Sequence, residues 1–276
     1  MKPFKVSMVV APPQAKFEAV VRKSLREALS LLSEIGFDGA EISILDPPDA
    51  GELKRVVDEY GLEVPALSTG LNYIHYGYSL TSPDPVKREK AVERLIEIGR
   101  LGEKLGGAGV IIGLMRGRLE GGLGKEEAYR LLVENTRRVA EGCEELGVKV
   151  FFEPLNRYET QLINTVEEGL RFLEDVGSEN LYLLLDTFHM NIEEPVIEDS
   201  IRMAGEKIGH FHVADSNRLA PGMGHLDFAS ILHALWDAGY RGYLSAEIIV
   251  KPDLEAAART TYNTLSKAME GIGGSR

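Results

Sequence analysis

The sequence predicts an α/β protein built as a (β/α)8 TIM barrel. Eight apolar runs of strand length alternate with longer amphipathic segments, which is the pattern of repeated βα units on a parallel sheet. No linker-like break interrupts this alternation, and the 276 residues match the roughly 250 residues of one such barrel. We therefore expect a single domain over residues 1–276, with residues 271–276 as a disordered tail.

The predicted strands are short and rich in apolar and β-branched residues. In chain order they are FKVSMVV (4–10), DGAEISI (38–44), LEVPALS (62–68), AGVIIGL (108–114), VKVFFE (148–153), LYLLLD (181–186), KIGHFHV (207–213) and GYLSAEI (242–248). Helices are predicted over residues 17–35, 50–60, 84–105, 125–146, 165–176, 197–205, 227–238 and 254–270. Residues 70–80 and 113–122 are predicted to be long loops that follow the third and fourth strands.

The composition excludes several classes of function. A net charge of −12, from 31 basic and 43 acidic residues, disfavours a nucleic-acid partner, because a phosphate backbone requires a basic surface. No apolar run approaches the roughly 18 residues of a membrane helix, and the N-terminal run is too short for a signal peptide. The lone Cys143 excludes an internal disulfide, so we expect a cytoplasmic protein. Few glutamines and cysteines beside many charged residues are typical of a thermophile.

Four side chains of the kind that bind divalent cations end four successive strands. They are Glu153, Asp186, His212 and Glu247. Side chains alternate along a strand, so each of these residues can share the inward face with its strand's other inward residues. A (β/α)8 barrel has its active site at the carboxyl ends of the strands, and the sequence therefore predicts a metal site there. Three carboxylates and one imidazole suit Mn²⁺ best, with Co²⁺, Mg²⁺ or Zn²⁺ as alternatives.

A simpler interpretation exists for each of these four residues. Acidic residues at strand ends often cap a helix or anchor a loop. Their occurrence at the ends of the fifth to eighth strands in order favours the metal site over this alternative. His210 lies one layer deeper than His212, and we expect it to be a hydrogen-bonded interior residue.

Longer motifs surround these strand ends: EPLNRYET (153–160), DTFHMNIEE (186–194), HFHVADSNR (210–218), PGMGHLDF (221–228) and GYLSAE (242–247). They resemble the sugar isomerase/epimerase superfamily with the xylose isomerase-like TIM barrel, and most closely the D-tagatose 3-epimerase group. The resemblance covers essentially the whole chain. It implies one divalent metal bound by the four strand-end residues, substrate oxygens near C1 and C2 held by Glu159, His189 and Arg218, and a homo-oligomer, either a dimer or a tetramer.

The two glutamates at the metal favour an epimerase that inverts a carbon next to a ketone through a cis-enediolate. A metal on the carbonyl and neighbouring hydroxyl would stabilise the enediolate charge. Glu153 and Glu247 come from different sides of the metal, so one could remove the proton and the other return it from the opposite face. Arg218 and His189 would donate hydrogen bonds to the developing oxyanion.

Several other activities use a similar site. Aldose–ketose isomerisation needs only one carboxylate, so a sugar or hydroxypyruvate isomerase, or an inosose dehydratase or isomerase, is the alternative. A sugar-binding barrel without activity would not need two bases. An endonuclease IV-like DNA repair enzyme is remote, because it needs further histidines after the third and fourth strands, and the fourth strand here ends in IIGLMRG.

Two loops are predicted to select the substrate. Residues 70–80 carry Tyr73, whose ring and hydroxyl suit a sugar. Residues 113–122 carry Arg116 and Arg118, which would bind the carboxylate of a keto-sugar acid, such as the 5-keto-L-gluconate handled by some relatives of this group. These arginines could instead pair with Glu120 or with a partner subunit.

The substrate contacts implied by the resemblance also have simpler alternatives. His189 could anchor the loop that follows its strand, and Glu159 could be a solvated loop acid. Arg218 could pair with a neighbouring aspartate, Asp215 or Asp227. For His225 we expect a loop-anchoring role rather than substrate contact.

Overall fold

The computed structural model describes residues 2–273, in which eight parallel strands close into a barrel. The strands are β1 (Lys5–Ala11), β2 (Gly39–Ser43), β3 (Ala66–Ser68), β4 (Gly109–Ile112), β5 (Val150–Phe152), β6 (Leu181–Asp186), β7 (Ile208–Val213) and β8 (Tyr243–Ala246). Each strand pairs with the next, and β1 pairs with β8 to close the barrel. The predicted (β/α)8 TIM barrel is confirmed.

Helices connect the strands around the outside of the barrel. They are α1 (Leu25–Ile35), α2 (Ala50–Glu59), α3 (Gly70–Tyr76), α4 (Pro85–Lys104), α5 (Lys125–Glu144), α6 (Val166–Val176), α7 (Thr187–Glu193), α8 (Ile197–Ala204), α9 (Phe228–Asp237) and α10 (Leu254–Ala268). Short 3-10 turns occupy Leu114–Arg116 and Gly205–Lys207. Within residues 2–273, none of these helices has the length and apolar character needed to cross a membrane.

The segment before α1 differs from the prediction. A helix was expected over residues 17–35, but α1 begins only at Leu25, because Ser24 and Glu27 form a capping box that fixes the first turn. Residues 17–24 are instead extended or bent, and Val21–Arg22 pair with the end of β1. Val20 is buried there at 3% exposure and packs in one cluster with Val9 and Leu71, and Phe17 lines the cavity, so this segment lies at the barrel mouth.

The segment 70–80, predicted as a loop, contains helix α3. Leu71 and Ile74 of this helix pack with Val9 in a small apolar cluster at the carboxyl end of the barrel. Gly77 ends the helix in a left-handed conformation, with φ of 66°. The helix therefore forms because its apolar residues pack on the cluster around Val9. The polar and aromatic composition of the segment did not indicate this packing.

The inward-facing side chains of the barrel fall into two chemically different groups. Strands β3–β6 contribute an apolar cluster of Ala66, Ile111, Phe151 and Leu184. The remaining strands contribute buried polar residues: Ser7, Glu41, His210 and Ser245. His210 joins the two groups, because its ring stacks on Phe151 at 5.5 Å and an interplanar angle of 16°. The predicted interior position of His210 agrees with this packing.

The predicted disordered tail, residues 271–276, lies partly outside the described residues, which end at position 273. Ile272 is 8% exposed and packs in the main hydrophobic core. The chain therefore stays packed against the barrel at that position, because an apolar side chain there covers the end of the core.

Candidate metal centre and active site

The structure brings together the four side chains predicted to bind a metal. Glu153, Asp186, His212 and Glu247 each offer a ligand atom, and these atoms all lie within 4.8 Å of one another. Asp186 ends β6 and His212 lies in β7, while Glu153 and Glu247 directly follow β5 and β8. All four are at most 9% exposed. The parallel register thus delivers one ligand from each of four adjacent strands.

Unpaired polar atoms in this cluster fit a divalent cation. Glu153 Oε1, Asp186 Oδ2 and His212 Nδ1 are all buried and have no hydrogen-bond partner among residues 2–273. The Oε1 of Glu153 and the Nδ1 of His212 are 3.7 Å apart. Buried polar groups are nearly always satisfied, so three unpaired atoms of metal-binding type this close together indicate a cation site. Oxygen and imidazole nitrogen together suit Mn²⁺, Co²⁺, Mg²⁺ or Zn²⁺.

The electrostatics of the cluster lead to the same conclusion. Burial raises the pKa of Glu153 well above its usual value, and the nearby Glu247 carboxylate raises it further. Burial also raises the pKa values of Asp186 and Glu247. Three carboxylates held together away from water repel one another, and a divalent cation between them would remove that cost.

Glu41 is a functional residue that the sequence reasoning missed. Its carboxylate, fully buried on β2, accepts hydrogen bonds from Nε2 of His212 at 3.0 Å, from Nε2 of His210 at 2.8 Å and from the Ser68 hydroxyl. The bond to His212 places the proton on Nε2 and leaves the Nδ1 lone pair for a metal. An acidic residue at an inward position of GAEIS was the sequence signal that could have identified it.

Glu41 also controls the charge of His212. Burial lowers the pKa of this imidazole, but the Glu41 carboxylate, together with those of Glu247 and Glu153, raises the pKa to about 10. The two imidazoles in turn hold the pKa of Glu41 well below its usual range, although burial alone would raise it. Glu41, His210 and His212 could also hold a cation by geometry, but their contacting atoms already satisfy one another as hydrogen bonds.

His189 lies next to the four candidate metal ligands and is a neutral hydrogen-bond donor. The backbone N–H of Asn156 donates to Nδ1 at 3.3 Å, so Nδ1 is an acceptor and the proton lies on Nε2. Nε2 is 3.7 Å from Glu153 Oε1 and 3.8 Å from Asp186 Oδ2, and it has no hydrogen-bond partner among the described residues. Burial, assisted by the Arg218 charge, lowers its pKa well below the usual value. The ring can therefore donate to a substrate oxygen.

Arg218 connects two acidic residues at the cavity. Its guanidinium donates to Glu247 Oε2 at 2.7 Å and to Glu159 Oε1 at 3.0 Å. It also lies over the rings of Phe188 and Phe17, at 4.6 Å and 5.2 Å from their centroids. The alternative pairing with Asp215 or Asp227 does not occur. The Asp215 carboxylate accepts hydrogen bonds from backbone amides of its own loop, and the Asp227 carboxylate accepts from the first turn of α9.

One cavity is shared by most of these side chains. Its polar wall contains Glu153, Glu159, His189, His212, Arg218 and Glu247. Its lining also includes the apolar residues Phe17, Leu71, Ile74, Ile111, Leu114 and Leu155. A cavity lined by both polar and apolar side chains suits a small molecule that carries oxygens and C–H groups.

Arg116, predicted to bind a substrate carboxylate, is placed elsewhere by the structure. Its side chain is fully buried, and the guanidinium donates to the carbonyls of Gly113 at 3.0 Å, Ile163 at 3.1 Å and Leu162 at 3.3 Å. It also stacks on the Phe152 ring at 4.1 Å. The prediction is corrected: Arg116 joins two loops from inside the protein, because backbone carbonyls occupy the donors that a ligand would need.

Tyr73 also lies away from the cavity. Its hydroxyl donates to Glu120 Oε1 at 2.8 Å, and burial with this contact raises its pKa to about 12. Ile74, the next residue of α3, lines the cavity instead. The prediction of a substrate contact for Tyr73 is corrected, because the turn of the helix directs its neighbour inward.

Two further residues from the loop predictions have clear surroundings. The Nε of Arg118 is buried and has no hydrogen-bond partner within the described residues. The alternative pairing of Arg118 with Glu120 does not occur in that part of the chain, where the Glu120 carboxylate accepts from Tyr73. His225 shares a hydrogen bond with Ser216 Oγ through Nδ1 at 3.0 Å, which is the contact expected of a loop anchor.

Comparisons with known proteins agree with this geometry. Residues 29–268 match the xylose isomerase-like TIM barrel family. An L-ribulose 3-epimerase of Mesorhizobium japonicum is 38% identical over 234 residues, which cover 82% of this chain and 76% of that protein. A ketose 3-epimerase of Arthrobacter globiformis is 33% identical over 249 residues, covering 84% and 81%.

Solved structures of such enzymes have the same fold. A structure of L-ribulose 3-epimerase superposes with a TM-score of 0.82 at 32% identity, covering 95% of this chain and 94% of that chain. The D-allulose 3-epimerase from Methylomonas sp. in complex with D-allulose has a TM-score of 0.80 at 27% identity, covering 97% and 98%. These similarities agree with the cluster of four strand-end side chains and indicate the family to which the chain belongs.

Proposed function

Because the chain belongs to the xylose isomerase-like TIM barrel family, we propose that it is a divalent-metal-dependent ketose 3-epimerase. The observation that carries the proposal is the cluster of Glu153, Asp186, His212 and Glu247, whose ligand atoms lie within 4.8 Å of one another. Two glutamates in this cluster provide the two bases that inversion of a carbon requires.

We propose that the four strand-end residues bind one metal ion, with Mn²⁺ as the preferred metal and Co²⁺, Mg²⁺ or Zn²⁺ as substitutes. When bound, the cation supplies Lewis-acid stabilisation of the negative charge that develops beside the ketone. The orphaned atoms of Glu153, Asp186 and His212 support this assignment. Glu41 would fix His212 in the tautomer that presents Nδ1.

The proton chemistry is assigned to Glu153 and Glu247. They follow β5 and β8, which are separated by β6 and β7, so their carboxylates approach the cavity from different sides. One would remove the proton from C3, and the other would return a proton to the opposite face. Arg218 fixes the Glu247 carboxylate, and the Nε2–H of His189 would donate to an oxygen next to C3.

A neutral ketose is the proposed substrate. Among the described residues that line the cavity, Arg218 is the only arginine or lysine, and two carboxylates already share its guanidinium. Arg116, whose predicted role favoured a keto-sugar acid, is buried against carbonyls. An uncharged sugar therefore fits this cavity better than a sugar acid, which would need an available cation.

The identity of the reaction can be tested by NMR in D₂O with the metal-loaded enzyme. L-ribulose, D-psicose and a keto-sugar acid would be incubated in parallel, and the exchanged carbon would be located in each. Epimerisation predicts deuterium at C3 of both epimers of a neutral ketose. Exchange at C1 with formation of an aldose would identify an isomerase, and loss of water would identify a dehydratase; either outcome would replace the proposal.

We further propose a cytoplasmic homo-oligomer, a dimer or a tetramer, from a thermophilic source. The high proportion of charged residues, 27%, and the single cysteine support the thermophilic and cytoplasmic assignments. Light scattering on the purified chain would give the oligomeric state, and thermal unfolding would show whether the melting temperature lies in the thermophilic range.

A further inference from the structure

The loop between β7 and α9, residues 214–227, is organised around one buried carboxylate. Asp215 is 0% exposed, and its carboxylate accepts hydrogen bonds from the backbone N–H groups of Ser216 at 2.8 Å, Gly222 at 2.8 Å and Leu226 at 3.1 Å. These donors span eleven residues of the loop, from position 216 to position 226. A charged acceptor that gathers several backbone donors fixes the loop far more firmly than loop contacts with water would.

The backbone of Asp215 also forms hydrogen bonds with Arg218 and Leu219 of the same loop. The N–H of Arg218 donates to the Asp215 carbonyl at 2.8 Å, and the N–H of Asp215 donates to the Leu219 carbonyl at 2.9 Å. Arg218 adopts a left-handed conformation with φ of 61°, which is costly for a residue with a side chain. The surrounding hydrogen bonds must therefore enforce this conformation.

The enforced conformation directs the Arg218 side chain into the cavity. Its guanidinium bonds Glu247 at 2.7 Å and Glu159 at 3.0 Å, while its carbonyl accepts from Ile249 N–H at 2.7 Å. Ile249 lies two residues after Glu247, so the loop is attached both to the proposed base and to the chain that carries it. The carboxylate of Asp215 makes no contact with Glu247 or Glu159.

We propose that Asp215 is a positioning residue for the reaction, acting through Arg218 to hold Glu247 in its working orientation. The proposal rests on the proposed function, because Glu247 and Arg218 matter only if the cavity is where the reaction occurs. Asp215 does not touch the cavity, and its carboxylate acts on loop geometry alone.

The test compares Asp215→Asn, Arg218→Met and the double variant with the wild type, all loaded with Mn²⁺. An amide has one acceptor oxygen and presents an NH₂ group to backbone donors, so Asp215→Asn opens the loop with little change in volume. We expect kcat to fall about 10²-fold in Asp215→Asn, since small displacements of a catalytic group have effects of that order. The double variant should be no slower than Arg218→Met alone.

Asp227→Asn is the matched control. Asp227 ends the same loop and caps α9 through the N–H groups of Ala229 and Ser230, but it does not hold Arg218. This control should lower the melting temperature slightly and leave kcat within about twofold of the wild type. Losses that multiply in the Asp215→Asn, Arg218→Met double variant would overturn the proposal, as would an unchanged kcat in Asp215→Asn.

A second variant, Gly224→Ala, and an NMR measurement test the proposal even if Asp215→Asn misfolds or the substrate is not a ketose. In Gly224→Ala the new Cβ would lie 2.2 Å from Asp215 Oδ1, so it displaces the carboxylate without altering it. The Nε–H resonance of Arg218, identified by its loss in Arg218→Met, should shift or broaden in Asp215→Asn and Gly224→Ala but not in Asp227→Asn. An unshifted resonance in both variants contradicts the proposal even if the wild type epimerises no ketose, whereas absence of wild-type turnover contradicts only the proposed function.

Discussion

The two halves of the barrel mouth are built differently. Around β5–β8, the charged side chains lie on the strands themselves or directly after them, as with Glu153 and Asp186. Around β1–β4, the strands end in small residues such as Ser43 and Ser68, and separate segments cover the mouth. The strand-borne half thus carries the proposed metal ligands and bases, and the covered half contributes further residues to the cavity lining.

Gly113 shows how closely the two halves fit. This residue follows β4, and a Cβ at its position would lie 2.7 Å from Glu153 Oε2, closer than side-chain carbons approach in proteins. The covered half must therefore stay small where the strand-borne half extends a carboxylate. We infer from this difference that the strands β5–β8 position the reactive groups, while the segments that cover β1–β4 leave space for them and exclude water.

The largest expected effect belongs to the strand-borne half. Glu153→Gln or Glu247→Gln should lower kcat by about 10²–10⁴-fold or more, because each removes one of the two proposed bases. Initial rates and deuterium exchange would be measured for both variants. Glu120→Gln, at the covered half and in contact with Tyr73, is the control and should retain activity within about twofold. Wild-type exchange in Glu153→Gln would remove that residue from the proton chemistry.

The next effect concerns Arg116, which lies between the halves. Arg116→Ala should lower the free energy of unfolding by about 3–5 kcal/mol, because several buried carbonyls lose their donors and a cavity opens beside Phe152. Chemical denaturation would measure this change. Arg137→Ala removes an exposed arginine that also donates to backbone carbonyls, and should cost about 1 kcal/mol. A stable Arg116→Ala protein that loses activity only on sugar acids would restore the carboxylate-binding role.

A smaller effect is expected for Glu41, which supports the strand-borne half from below. Glu41→Gln should weaken Mn²⁺ binding about 10–100-fold, because a neutral amide is a weaker acceptor for His212 Nε2–H than the carboxylate and makes the imidazole a less basic ligand. Calorimetric titration with Mn²⁺ measures the change. Glu63→Gln, at the opposite end of the barrel in contact with Lys5 and Tyr243, should leave metal affinity unaltered. Equal affinities for Glu41→Gln and the wild type would show that the metal does not use His212.

Metal affinity should also depend on pH in a defined direction. His212 has a pKa of about 10, so at lower pH a proton occupies the nitrogen that a metal would need. Affinity for Mn²⁺ should therefore rise by roughly tenfold per pH unit as pH increases toward that value. Titrations of the wild type at several pH values would reveal the slope. A pH-independent affinity would mean that His212 is not a ligand.

The smallest expected effect lies in the covered half. Tyr73→Phe removes a hydroxyl that contacts Glu120 and not the cavity, so kcat and KM should change by less than about twofold. Steady-state kinetics with a neutral ketose would measure both constants. A tenfold rise in KM would return Tyr73 to the substrate site and weaken the distinction between the two halves.

The predicted positions were confirmed for residues on the strands and were wrong for residues in the segments that cover the barrel mouth. The eight strands and the convergence of Glu153, Asp186, His212 and Glu247 follow from the sequence, because a strand fixes the side of each residue by simple alternation. Arg116 and Tyr73 were misplaced, because no such rule gives the direction of a side chain in a loop or short helix. Glu41 was overlooked because its partners are 169 and 171 residues away.

The sequence by itself determined the barrel, the order of its strands and the set of side chains at the carboxyl ends of β5–β8. These features depend on periodicity and motif, which are local properties of the chain. Only the tertiary structure decided that Glu41 supports His212, that Arg116 joins two loops, and that Asp215 holds Arg218 against Glu247. Such contacts join distant segments, and their geometry exists only after the barrel has closed.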